Sequence, residues 1–250
     1  MTKQASDVGK NRTGIDTSPL DSKQMIEGAE SLPVTRSLDD PGYHAVCASY
    51  AAEASPVGSV PPPRTLRGLA STALDFVKGQ KSTVLIDKLG ARLAFERTGV
   101  RLYGALCSKL QVLGSWEGGP TIEALREIEG EEMRHAQLIA RVLREIGADP
   151  TAQTPAADLT GIEGTGLVQV LGDPRMDMGQ SLHAILIAEL TDNEGWVMLI
   201  SLAREMGHAA MADEFEAARA AEDRHLLRVR AWLTEYDRLL ANRDLDASAA

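Results

Sequence analysis

Cysteine is almost missing from this chain: only Cys47 and Cys107 occur among its 250 residues, far apart and in no CxxC pattern. Neither a disulfide framework nor a cysteine-built zinc site is expected from that spacing. Aromatic residues make up 4% of the chain and β-branched runs are scarce, which argues against an all-β fold. Positive charge is also short, with 26 Lys and Arg against 36 Asp and Glu and a net charge of −10. A nucleic-acid partner would need a basic face to displace phosphate counterions, so none is expected. The N-terminus, MTKQASDVGKNRTG, has no apolar signal region, and no apolar run is long enough to cross a bilayer. The sequence therefore predicts no membrane association and a cytoplasmic, reducing location.

What the chain has is alanine and leucine, the residues that lose least freedom in a helix. Its length suits one good-sized core with an extension. Residues 1–63 are rich in Ser, Thr, Gly, Pro and Asp and end in Val60-Pro61-Pro62-Pro63. They read as an irregular or mobile arm. His44 and Cys47 lie three positions apart in it, too few ligands for a metal site. A helical unit is expected over 64–242, followed by a short tail at 243–250. It opens with a short amphipathic helix marked by Leu66, Leu69, Ala73 and Phe76.

Four longer helical stretches follow at about 82–113, 120–147, 178–207 and 209–240, each on the order of 40 Å long. Gly118-Gly119-Pro120 separates the first pair and Gly207 the second, whereas residues 148–177, with Pro150, Pro155 and Pro174, make a long connection. Short loops place neighbours antiparallel, and a long one carries the chain from end to end. An all-α four-helix bundle with one crossover between its second and third long helices is the predicted fold.

The core stripe of each helix follows alternating three- and four-residue steps. The first contains Leu89, Leu93, Glu96, Val100, Tyr103, Cys107 and Leu110. The second has Leu125, Ile128, Glu132, His135, Ile139, Val142 and Ile146. On the third lie Leu182, Leu186, Glu189, Asn193, Trp196, Ile200 and Ala203. The fourth runs through Met211, Phe215, Ala218, Glu222, His225, Val229, Trp232, Tyr236 and Leu239.

Each stripe is apolar except near its middle, where a glutamate intrudes; on the second and fourth a histidine follows three residues later. An unpaired buried carboxylate costs several kcal/mol, and four at one level would also repel each other. No lysine or arginine lies on these stripes at that level. Two divalent cations would neutralise the four charges, and oxygen ligands with imidazole suit iron or manganese. Residues three apart share a helical face, so Glu132 with His135, and Glu222 with His225, can reach one centre. The halves also repeat: each lead glutamate has an aromatic residue seven positions on, Tyr103 after Glu96 and Trp196 after Glu189.

This pattern resembles the ferritin-like superfamily of di-iron and di-manganese carboxylate proteins, whose ligand set is a general property of such bundles. Within it the chain is similar to bacterioferritin and rubrerythrin over roughly residues 82–240. The residues that carry the resemblance are Ala94-Phe95-Glu96-Arg97, Glu131-Glu132-Met133-Arg134-His135-Ala136, Ala188-Glu189-Leu190 and Glu222-Asp223-Arg224-His225. The resemblance implies bridging roles for Glu132 and Glu222 and terminal roles for Glu96 and Glu189, with His135 on one metal and His225 on the other. It implies two iron ions, or manganese, reacting with dioxygen or hydrogen peroxide in an oxidoreductase, and self-association into a homo-oligomer. A ferroxidase or iron-sequestering protein is the alternative, and a metal-stabilised stress or interaction protein without turnover is a third.

Some features depart from the relatives. Paired CxxC motifs of a rubredoxin domain are missing, little chain follows the fourth helix, and the N-terminal arm is unusual. Met133 stands where bacterioferritin places a haem-ligating methionine, but its reading here is a packing residue. Tyr103 is a candidate redox-active residue beside the metals. Glu194 points off its stripe and reads as solvated or as a residue standing behind the ligands, and His183 and His208 carry no assigned chemistry.

Overall fold

The computed structural model describes residues 19–31, 41–62 and 82–248. Every regular element among them is an α-helix, as the composition predicts. None of these helices is long and apolar enough to cross a membrane. The chain divides into a unit over Lys3–Pro56 and a larger one that begins at Val57.

The smaller unit corrects the expectation of an irregular arm. It contains α1 (Pro19–Ser31) and α2 (Pro41–Glu53). Each opens on a proline, which is tolerated in a first helical turn, and α1 adds Asp21 there, favourable at the positive end of the helix dipole. No residue of α2 is buried, and its Tyr43, Val46 and Tyr50 are exposed. These helices rest on backbone propensity without a core face, so they leave no apolar period in the sequence. The short helix expected near Thr65–Phe76 lies outside the described residues.

The larger unit contains α3 (Ser82–Leu113), α4 (Ile122–Glu145), α5 (Pro155–Gly172), α6 (Met178–Glu205) and α7 (Ala209–Ser248). Thr121 caps α4 by accepting from the Ala124 N–H at 3.1 Å. Asp177 and Gln180 form a reciprocal capping box on α6. Gly147 and Gly207 end α4 and α6 at φ of 85° and 80°, a left-handed conformation that favours glycine. The predicted tail is helical as far as Ser248, because no glycine or proline interrupts residues 241–248.

The long connection holds a helix of its own. Thr154 caps α5, Pro155 fills its first turn, and Asp87 of α3 accepts from the Ala156 N–H at 2.9 Å. At the far end Lys109 of α3 donates to the carbonyls of Asp173 and Met176 at 2.7 and 3.1 Å. Both ends of α5 are thus pinned along α3, and the crossover runs its length.

The apolar interior is split in two. One cluster joins the start of α3 (Leu85 to Leu93), the end of α4 (Ala136 to Leu143), the end of α6 (Trp196 to Ala203) and the start of α7 (Ala212 to Ala218). The other joins Leu102 to Leu110, Leu125 and Ile128, Met178 to Ala188, and Val229 with Trp232. These memberships make α3 antiparallel to both α4 and α6, and α6 antiparallel to α7. Between the clusters, on all four long helices, lies a polar layer.

Where α6 meets α7 there is no room for a side chain at Gly179: a Cβ there would overlap the ring of Tyr236. That ring is backed by Trp116, 4.9 Å away between centroids. Gly179→Ala is expected to lower unfolding free energy by about 1–3 kcal/mol through overpacking. Denaturant unfolding measures this, and an unaltered midpoint would contradict the close approach.

Candidate metal centre

The polar layer is formed by Glu96 of α3, Glu132 and His135 of α4, Glu189 of α6, and Glu222 and His225 of α7. All six expected ligands are buried, from 0% exposure for Glu96 and Glu222 to 7% for His135. Hydration therefore cannot satisfy them. Their ligand atoms converge in two overlapping sets, Glu132–Glu189–Glu222–His225 and Glu96–His135–Glu222, with the atoms of each set within 4.8 Å of one another. These groups are close enough to hold a metal ion.

Glu222 belongs to both sets. Its Oε1 lies 2.6 Å from His135 Nδ1, and its Oε2 lies 2.9 Å from His225 Nδ1. The two imidazoles stand 6.3 Å apart, one on each side. His225 Nδ1 is also 3.4 Å from Glu132 Oε1 and 3.9 Å from Glu189 Oε2, while His135 Nδ1 is 3.7 Å from Glu96 Oε2. Both Nδ1 atoms point at the carboxylates.

Several of these carboxylate oxygens make no hydrogen bond: Oε2 of Glu96, of Glu132 and of Glu189. Buried polar atoms normally find partners. A cluster of orphaned acceptors aimed at one another is the arrangement divalent cations would satisfy. The fit is good.

One expectation is corrected here. A cation does reach this level: Arg92, 5% exposed, lies one position before the predicted stripe residue Leu93. Its Nε is 2.8 Å from Glu96 Oε1, its Nη2 is 3.0 Å from Asp192 Oδ1, and its Nη1 donates to the Asp192 carbonyl at 3.1 Å. Asp192 is itself buried and converges with Glu96, Glu132 and Glu222. A further missed residue is Glu131, whose Oε2 lies 2.7 Å from His225 Nε2. Carboxylates behind a histidine fix its orientation and raise its basicity as a ligand. Spacing carried a signal for the first two, since Arg92 precedes Glu96 by four positions and Asp192 follows Glu189 by three. A single narrow stripe excluded both, and admitted Val100 and Asn193, which are only half-buried.

The other candidates fall as follows. Tyr103 is buried and its hydroxyl donates a short hydrogen bond to Glu189 Oε1. Trp196 meets His135 edge-on at 5.7 Å. Met133 is 45% exposed. Glu194 and His183 are exposed, as expected of off-stripe residues.

Without metal, protons take over the electrostatics. Burial, then the charge of Glu222, raises Glu189 to about 8, and burial with the neighbouring carboxylates holds Glu132 well above its ordinary value. Burial opposes charge on His135 and His225, but hydrogen bonds to Glu222 and the surrounding carboxylates raise both to about 9. Burial likewise works against ionisation of Glu222, yet the two histidines lower it to about 2. Tyr103 is pushed well above 10.0, by burial first and then by Glu189, and remains a phenol.

Comparison with protein-family models, curated proteins and solved structures finds no match for this chain. Its chemistry is read from the site itself.

The proton inventory sets a pH dependence. Groups with a raised value in the fold contribute stability that is complete below their ordinary values, 4.5 for glutamate and 6.5 for histidine, and is lost as pH climbs through about 8 to 9. The Glu222 contribution has the opposite sign, complete above 4.5 and lost as pH falls toward about 2. Chelator-stripped protein should therefore melt at progressively lower temperature from neutral pH to about 9, and metal-loaded protein should resist the change. Parallel melting curves for the two forms over that range would contradict the site's role.

Proposed function

We propose that this chain is a ferritin-like four-helix di-metal carboxylate protein. Its activity, on this reading, is that of an oxidoreductase whose two iron ions, or manganese ions, react with dioxygen or hydrogen peroxide. The observation that carries the reading is Glu222, a fully buried carboxylate with one oxygen toward each of two histidines. A single cation would leave one of those faces unused. Glu132 and Glu222 are the bridging candidates, Glu96 and Glu189 the terminal ones, and His135 and His225 the nitrogen ligands.

Bound there, two iron ions would supply the reducing electrons and the open coordination positions at which an oxidant reacts. The protein's own part is positional. The two apolar clusters keep water from either side of the layer. Glu131 holds His225 Nε2 outward, so that Nδ1 faces the carboxylates. The Tyr103 hydroxyl keeps a proton against Glu189 Oε1, where it can accompany an electron leaving the ring. Self-association is part of the proposal, supported by the exposed row Ile187, Leu190, Val197 and Met198 on α6.

Anaerobically purified protein should contain two metal ions per chain by elemental analysis. Glu132→Ala and Glu222→Ala should each lose most of that metal, and unchanged content in both would reject the ligand assignment. Stopped-flow mixing of the iron(II) form with dioxygen and with hydrogen peroxide should show oxidation within seconds. No reaction with either would leave a metal-stabilised protein without turnover.

A further inference from the structure

The two halves of the larger unit repeat their ligands but not the residues around them. Setting Glu96 on Glu189 and Glu132 on Glu222 superposes one helix pair on the other along the sequence. In that register Arg92 corresponds to Ile185, Asp192 to Gly99, and Glu131 to Ala221. A symmetric set of six ligands is thus embedded in an asymmetric surround.

The Glu131 and Arg92 asymmetries favour the same side, while Asp192 adds a carboxylate beside Glu96 that is paired with Arg92. His225 is backed by Glu131 at 2.7 Å, whereas Ala221, the counterpart of Glu131, offers His135 no carboxylate. The set around His225 has four convergent residues and the set around His135 has three, while a third set of Glu96, Glu132, Asp192 and Glu222 contains no histidine. On the His135 side, Glu96 already faces a cation, with Arg92 Nε at 2.8 Å. The guanidinium sits in a built slot. Its faces lie 4.7 Å from the Phe95 ring and 5.3 Å from the Trp196 ring, and a Cβ at Gly195 would overlap Nη1. The Asp192 carbonyl and carboxylate hold its other end. It has nowhere to withdraw when a metal arrives.

We infer that the two metal positions are unequal and fill in order. A divalent cation enters the His225 position first, and the His135 position binds the second ion more weakly because Arg92 competes for Glu96. The inference rests on the di-metal reading above and adds to it a loading order and a residue that sets it. Arg92 acts here as a positioning residue, fixing Glu96 and placing a positive charge beside the second ion. Asp192 pairs with the far end of the guanidinium, so the effect acts through the Glu96 oxygen that Arg92 already holds, and it should separate the two affinities by at least about tenfold.

The test is an equilibrium titration of chelator-stripped protein with Mn(II), with the free ion measured by electron paramagnetic resonance. Wild type should bind two ions in separate steps, with dissociation constants at least about tenfold apart. Glu96→Gln should weaken only the second step, and Glu189→Gln chiefly the first. Arg92→Gln/Asp192→Asn leaves the net charge of the layer unchanged but frees Glu96 from its competing cation, and should draw the two constants together by roughly the same factor. Equal constants in wild type overturn the inference and leave the di-metal reading standing; so does loss of the tight step in Glu96→Gln. An unchanged gap in a folded double variant also overturns it. Absence of Mn(II) binding to wild type overturns both readings.

Discussion

Four glutamates buried at one level of an apolar interior are the constraint around which this protein is organised. Each carboxylate taken out of water without compensation costs several kcal/mol, and mutual repulsion adds to it. A fold that tolerates such a layer must deliver positive charge to it. Two sources are in place, protons favoured on Glu132, Glu189, Asp192 and both histidines and the Arg92 guanidinium, and the proposed divalent cations would be a third. Only the third would satisfy the lone pairs of Glu96, Glu132, Glu189 and Glu222 together.

The rest of the architecture serves that layer. Apolar clusters close it from both ends, so every long helix is apolar, then polar, then apolar along its buried face. The crossover helix α5 lies along α3, fastened by Asp87 and Lys109, and brings α6 in with its Glu189 level with Glu96. Gly99 is part of the same design: a Cβ there would overlap Glu132 Oε2. Backbone and ligand approach so closely at that point that only glycine leaves the carboxylate its place.

Much of this was legible from the residues because burial imposes period. Leu89, Leu93, Glu96 and Tyr103, or Phe215, Ala218, Glu222 and His225, occupy core positions as their spacing predicts, and the six candidate ligands fall in overlapping clusters. What was not legible has a common physical cause. A helix buried on a broad face presents more than one row, so Arg92 and Asp192 lie beside the narrow stripe and were passed over. Glu131 is adjacent to a ligand in sequence and reaches its partner from another helix, a relation that spacing within one helix does not encode. Helices α1 and α2 bury little, so no apolar pattern announced them, and the helical continuation of α7 to Ser248 lacks a stop signal that would have been visible if present.

The most direct test of the account is anomalous diffraction from crystals soaked in Mn(II). It predicts two metal peaks in the polar layer, one on each side of Glu222, with one touching His135 and the other His225. A single peak away from Glu222, or manganese found only on the surface carboxylates while the buried glutamates remain bare, would contradict it.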